Sequence, residues 1–219
     1  MLTLEEIRQN PTIMTYIQKA DESLAAIGYT EHSFPHVSLV AKGAGYILRT
    51  LGYPERDAEL AQIAGYLHDI GNLVNRADHS LSGALIAFRI LDNLGFGADE
   101  IATITTAIGN HDEEQGAPVN HISAALILAD KSDVRRSRVR NKDKTFFDIH
   151  DRVNYSVKKS ALTISKDHAL ITLKLSIDTR YGSIMDYFEI FLDRMSLCRR
   201  SAEKLGLQFK FFINGQPLI

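Results

Sequence analysis

His68 and Asp69 stand side by side in the stretch YLHDIGN, at the end of an apolar segment and just before Gly71. Imidazole and carboxylate are both metal-ligand types, and together they favour iron, manganese, zinc or similar ions over calcium. Adjacent side chains on an ideal helix point about 100° apart. The pair can therefore share an ion only beside a helix end, with other segments completing the coordination. More residues of these types stand where helix ends are expected: His36 after Pro35, His79 before Ser80, and His111 after the run AIGN. Asp130 lies late in the apolar run AALILAD, where a carboxylate is costly to bury unless it is paired or metal-bound. Asp69 has two oxygens and could bridge two ions. A water between two such ions loses a proton readily and becomes a nucleophile near neutral pH.

The elements that must position these residues are mainly helices. Thr3 with Glu6 forms a capping box. Asn10 followed by Pro11 starts a helix that Gly28 stops. In HVSLVAKGAGYILRTLG, Val40, Ala44, Ile47 and Leu51 recur at helical spacing. After Pro54, the stripe of Leu60, Ile63, Ala64 and Leu67 leads directly into His68. SLSGALIAFRILDNLG predicts a helix ending near Gly95, and ADEIATITTAIGN places Ile101, Ile104 and Ile108 on one face. HISAALILADKSDV follows Asn120, a good N-cap.

Near Ser160 the period changes. Ile171, Leu173, Leu175 and Ile177 alternate with mostly polar residues, as in a half-buried strand, and ALTIS before them reads as a hairpin partner. LQFKFFIN alternates in the same way, and between the strands Ile184, Phe188, Phe191, Met195, Cys198 and Ala202 form a helical stripe. The expected fold is mostly α: a helical bundle over residues 1–158, then a small α+β subdomain over 159–219 with an antiparallel sheet packed on one helix. The basic stretch from Lys131 to Lys144 is the expected linker region.

The 219 residues suffice for one large domain, or one with an appendage. A formal net charge of −2 gives no overall pull toward nucleic acid or an anionic membrane. The single cysteine, Cys198, allows no intrachain disulfide and suits a reducing compartment. The first residues are polar, and no apolar run approaches the roughly 20 residues that span a bilayer. A cytoplasmic protein is expected.

The order His36, His68-Asp69, Asp130 resembles the H…HD…D signature of the HD superfamily of metal-dependent phosphohydrolases, over roughly Pro35 to Arg138. The segments DHSLSGA and AIGNHDEEQG resemble those that supply extra histidines in its two-metal branches, here His79 and His111. HSLSGA, AIGNH and LADKSDVRR look most like the diadenosine tetraphosphate hydrolases. The cyclic-dinucleotide phosphodiesterases called HD-GYP usually read HDIGK and carry paired histidines and a GYP tripeptide. Here Asn72 takes the lysine position and NHDEEQGAP replaces the tripeptide, which argues against cyclic-di-GMP cleavage.

The resemblance implies an HD-type bundle and two divalent transition-metal ions, iron or manganese. Their ligands would be His36, His68, Asp69, His79, His111 and Asp130, with Asp69 central to catalysis. His32 precedes the same helix as His36, but Val40 and Ala41 follow His36 at the spacing typical of the family's first helix. If His79 and His111 are instead capping or surface residues, the site holds one ion. His121, His150 and His168 read as surface or capping residues. Lys131, Arg135 and Arg136 are the candidates for holding substrate phosphates, since guanidinium pairs well with phosphate oxygens. Arg138 and Arg140 read as a solvated basic face.

The expected function is hydrolysis of a phosphate ester or anhydride of a small phosphorylated substrate, a nucleotide by family likeness. No membrane or nucleic-acid partner is expected, and a homodimer is left open. The competing readings are a di-iron oxygenase, which would consume oxygen, and a non-catalytic nucleotide sensor, which would bind without turnover.

Overall fold

The computed structural model describes residues 2–219. Thr3 caps α1 (Leu4–Gln9) through the reciprocal box with Glu6, and the Asn10 side chain caps α2 (Pro11–Ala26) by accepting from Thr12 N and Ile13 N. The bundle continues through α3 (Phe34–Thr50), α4 (Glu55–Leu67), α5 (His79–Asn93), α6 (Ala98–Gly109), α7 (His121–Ser132) and α8 (Ile149–Ser156). Helix α7 is the axis. Every residue from Ile122 to Ala129 is buried, because α3, α4, α6 and α9 (Ile184–Lys204) pack around it. A helix apolar all round has no other stable place.

The short 3-10 turn Ile70–Leu73 follows α4 and presses on the start of α5. Gly71 makes that approach possible. A Cβ at this position would overlap the His79 carbonyl oxygen and crowd the Gly83 nitrogen. The HD pair and His79 are thereby held on abutting pieces of backbone.

The remaining elements are β1 (Val157–Ile164), β2 (Leu170–Ile177), β3 (Gln208–Ile213) and the two-residue β4 (Gln216–Pro217), in sheet order β1-β2-β3-β4. The expected hairpin is present, with β1 antiparallel to β2. The expectation of a wholly antiparallel sheet is corrected: β2 and β3 are parallel. Helix α9 is long enough to carry the chain back to the end where β2 began, and such a return produces a parallel neighbour. One face of β2 and β3 buries Ile171, Leu173, Leu175, Phe209, Phe211 and Ile213. These join one core with Tyr187, Phe191, Met195 and Cys198 of α9, and Tyr187 stacks on Phe211.

The basic stretch after α7 is not a free linker. Glu31 N donates to Arg138 O at 2.8 Å. Arg138 donates to Glu31 O and Asp133 O, both at 2.9 Å. Arg140 reaches Tyr29 O at 3.1 Å and pairs with Asp21. The segment is thus strapped to the α2–α3 connection. Among the described residues, no helix is long and apolar enough to cross a membrane.

Candidate metal centre

His36 lies in the first turn of α3, His68 caps the end of α4, Asp69 follows it, His79 opens α5, and His111 follows the cap of α6. Asp130 lies in the last turn of α7. The tertiary fold brings all six together. His36 Nε2 is 3.3 Å from His68 Nε2, 3.3 Å from Asp69 Oδ2 and 3.4 Å from Asp130 Oδ1. His68 Nε2 is 3.2 Å from Asp69 Oδ2 and 3.6 Å from Asp130 Oδ1. On the other side, His79 Nε2 lies 3.5 Å from Asp69 Oδ1 and 3.2 Å from His111 Nε2. Donor atoms of His36, His68 and Asp130, and of His68, Asp69 and His111, cluster closely enough to grip an ion.

The outer nitrogens decide which way the imidazoles face chemically. His68, His79 and His111 place Nδ1 at 2.9, 3.1 and 2.6 Å from the carbonyl oxygens of Gly65, Arg76 and Ile108. A carbonyl can only accept, so each Nδ1 carries the proton. His36 Nδ1 sits 2.8 Å from Asp133 Oδ2, which asks the same of it. In the neutral rings the four Nε2 lone pairs then face one another and two carboxylates. This is the tautomer and orientation that second-sphere acceptors impose on metal-binding histidines. Asp69 Oδ2 is buried and receives no hydrogen bond, while Asn72 Nδ2 donates to Asp69 Oδ1 at 3.1 Å. An orphaned carboxylate oxygen amid converging lone pairs fits a divalent cation.

The electrostatics agree. Burial alone disfavours a protonated imidazole. At His111 and His79 burial prevails and holds both below the ordinary histidine range. At His68 burial is outweighed by the Asp69 and Asp130 carboxylates, which carry its pKa to about 10. Burial would raise Asp130, but Lys131 and the neighbouring imidazoles hold it well below the usual carboxylate range. The His36–His68 half therefore attracts positive charge strongly, and the His79–His111 half offers neutral nitrogen donors.

The three expected phosphate-holding residues are placed differently. Lys131 is buried, with Nζ 2.9 Å from Asp130 Oδ2 and 2.5 Å from Glu113 Oε2, and Arg194 of α9 donates to Glu113 at 2.8 Å. Arg135 pairs with Glu31 and Asp133. Arg136 donates to Tyr155 O at 2.6 Å and lies over the Tyr155 ring at 4.3 Å. The helix ends at Ser132, so neither arginine continues its spiral past Asp130, and the structure does not bring Arg136 to the cluster. Arg138, expected on a solvated face, is buried beside Asp133. His32 does not join the ligands: its Nδ1 is 2.7 Å from Thr30 O, and its ring stands 5.5 Å from that of His36.

Sequence reasoning missed Asp133, Asn72 and Arg76. Arg76 Nη1 lies 3.4 Å from His79 Nε2 and 3.4 Å from Asn72 Oδ1. Asn72, three residues past Asp69, could have been found from turn spacing. Asp133 and Arg76 carry no comparable local signal.

The HD-domain family model matches residues 34–155, more than half of the chain. This chain belongs to the HD-domain family. An uncharacterized protein of Methanocaldococcus jannaschii is 27% identical and aligns over 71% of this chain and 68% of its own. The crystal structure of a predicted HD superfamily hydrolase from an uncultured Thermotogales bacterium is 23% identical. It covers 70% of this chain and 89% of its own, with a TM-score of 0.48. The matched span contains all six clustered residues of this HD domain. HD domains hold divalent metal ions, and the donors assembled here suit them.

Proposed function

We propose that this HD-domain protein is a metal-dependent phosphohydrolase that cleaves a phosphate ester or anhydride of a small phosphorylated compound, in the first instance a nucleotide. The observation that carries this reading is the convergence of four Nδ1-anchored imidazoles on two carboxylates, one with an unbonded buried oxygen. His36, His68, Asp69 and Asp130 would hold one ion, and Asp69, His79 and His111 a second, with iron or manganese the best match to the donor set. Bound ions of this kind supply positive charge to phosphoryl oxygens and lower the pKa of water near neutrality.

The chain's own residues have distinct tasks in this reading. Asp69 spans the two halves, each oxygen turned to a different histidine group. The backbone carbonyls of Gly65, Arg76 and Ile108 fix the tautomers before anything binds. Lys131 occupies Asp130 Oδ2 and leaves Oδ1 facing the imidazoles. Arg76, beside His79, takes the phosphate-orienting role that the sequence assigned to Arg135 and Arg136. The likeness of HSLSGA, AIGNH and LADKSDVRR to the diadenosine tetraphosphate hydrolases puts dinucleoside polyphosphates in the first screen.

Elemental analysis of protein purified and resupplied anaerobically with iron or manganese tests the reading, together with turnover on a panel of nucleotides and phosphate esters. About two ions per chain and metal-dependent phosphate release are expected. A protein that holds no metal after resupply, or holds metal and releases no phosphate from any compound, overturns it.

A further inference from the structure

Beside the metal centre lies a cavity of about 240 Å³ between the α2–α3 connection, α8 and α9. Its walls are chemically divided. Arg76, Arg138 and Arg194 line it, and each leads back to the centre. Arg76 does so through His79. Arg138 does so through Asp133, the partner of His36. Arg194 does so through Glu113, Lys131 and Asp130.

The lining also includes the face of α8 carrying Asp151 and Asn154, one turn apart and both buried. The Asn154 amide nitrogen is bound to His150 O at 3.0 Å, which leaves its carbonyl oxygen to accept. Among the described residues, no side chain donates to the Asp151 carboxylate, and the residue's own backbone N donates to Asp148. Asp148 and Asp151 also border a neighbouring depression near Ala25 and Arg140, which marks this end as the outer one. Tyr29 and Phe191 add flat apolar surface to the lining.

Resting on the hydrolase reading above, we infer that this cavity holds the organic half of the substrate, and that its walls select a phosphorylated group of single-nucleoside size. Arg76 meets the phosphate, and Asp151 with Asn154 accepts hydrogen bonds from hydroxyl or amino groups at the far end. The charge division runs in the direction such a molecule needs, with guanidinium toward phosphate and acceptors toward donors. A volume at or below the low end of ligand pockets matches one nucleoside and leaves any second one outside the cavity. A buried acceptor wall rejects groups that cannot donate, because its polar atoms would then lose water without replacement.

Two measurements test this. The first is calorimetric titration of AMP, and separately of inorganic phosphate, into the metal-free protein and its Asp151→Asn and Arg76→Lys variants. AMP is expected to bind more tightly than phosphate. Asp151→Asn should weaken AMP by about ten-fold, one hydrogen bond to a charged group, and should weaken phosphate much less. The second is the ratio of kcat/KM for AMP to that for p-nitrophenyl phosphate, which has no donor group, with the manganese-loaded protein. Asp151→Asn should lower this ratio by a similar factor, and Arg76→Lys should lower both rate constants with metal content retained.

Equal binding of AMP and phosphate, or an unchanged preference in Asp151→Asn, overturns the inference while leaving metal-dependent turnover of p-nitrophenyl phosphate, and with it the hydrolase reading, intact. Asp151-dependent AMP binding by a protein that neither holds metal nor releases phosphate would sink the hydrolase reading and keep the cavity assignment.

Discussion

The histidines of the centre and the arginines that follow α7 are both polar groups set at turns of the chain, and the fold uses them in opposite ways. Each of the four imidazoles is short and sits in the first turn or at the end of a helix, so backbone position alone sets where its nitrogen reaches. Arginine has a long flexible stem, and its head goes wherever the fold offers a carboxylate, a carbonyl or an aromatic face. Arg135 finds Glu31 and Asp133, Arg136 finds Tyr155, Arg138 is drawn inside, and Arg140 finds Asp21. Short ligands at helix ends can be read from local pattern; long cations cannot, because their partners lie far away in sequence. Arg138 and Glu31, 107 residues apart, are one such pair.

Removing the group on which both halves converge gives the largest effect. Asp69→Ala should abolish metal binding and metal-dependent turnover together, as measured by elemental analysis and phosphate release. A variant keeping its full metal complement would break the comparison, since the helix-end cluster would then be incidental.

Asp133→Ala should loosen His36 without removing a ligand, lowering metal affinity by roughly ten- to a hundred-fold, the usual loss for an outer partner of a metal-bound histidine. Competition with a fluorescent chelator measures it. Unchanged affinity would show that Nδ1 anchoring is not what orients this ring.

Gly71→Ala tests the backbone on which the cluster depends. Its methyl group would meet the His79 carbonyl, at a cost of about 1–3 kcal/mol for forced displacement in a packed region. A lower Tm with weakened metal binding is expected. An unchanged Tm would mean that the turn and α5 can part freely.

The smallest effects separate the arginines. Arg138→Ala leaves the partly buried carbonyl oxygens of Glu31 and Asp133 without their side-chain donor, which costs about 1–3 kcal/mol. Arg136→Ala removes a partly exposed stack on Tyr155 and one hydrogen bond to its carbonyl, together worth about 1–2 kcal/mol, and should leave metal content and kcat/KM unchanged. Chemical denaturation of both variants gives the order. A catalytic defect in Arg136→Ala would restore the phosphate-holding role expected from sequence.

The amino-acid sequence marked several helix boundaries, because caps and stops are local chemistry. Thr3, Asn10 and Asn120 cap the helices they precede, and Gly28 takes the positive φ at the end of α2. It also showed the alternation of the C-terminal strands and the types of the six clustered residues. What those residues face was set by packing between distant segments. The direction of β3 depended on where α9 returned the chain. Asp133 and Arg76 became neighbours of the centre through contacts between segments distant in the chain. Lys131 turned inward because Glu113 and Asp130 together offset the cost of burying its charge. A period of three or four residues reports which face of a helix is buried. The partner waiting on that face belongs to another part of the chain, and packing alone selects it.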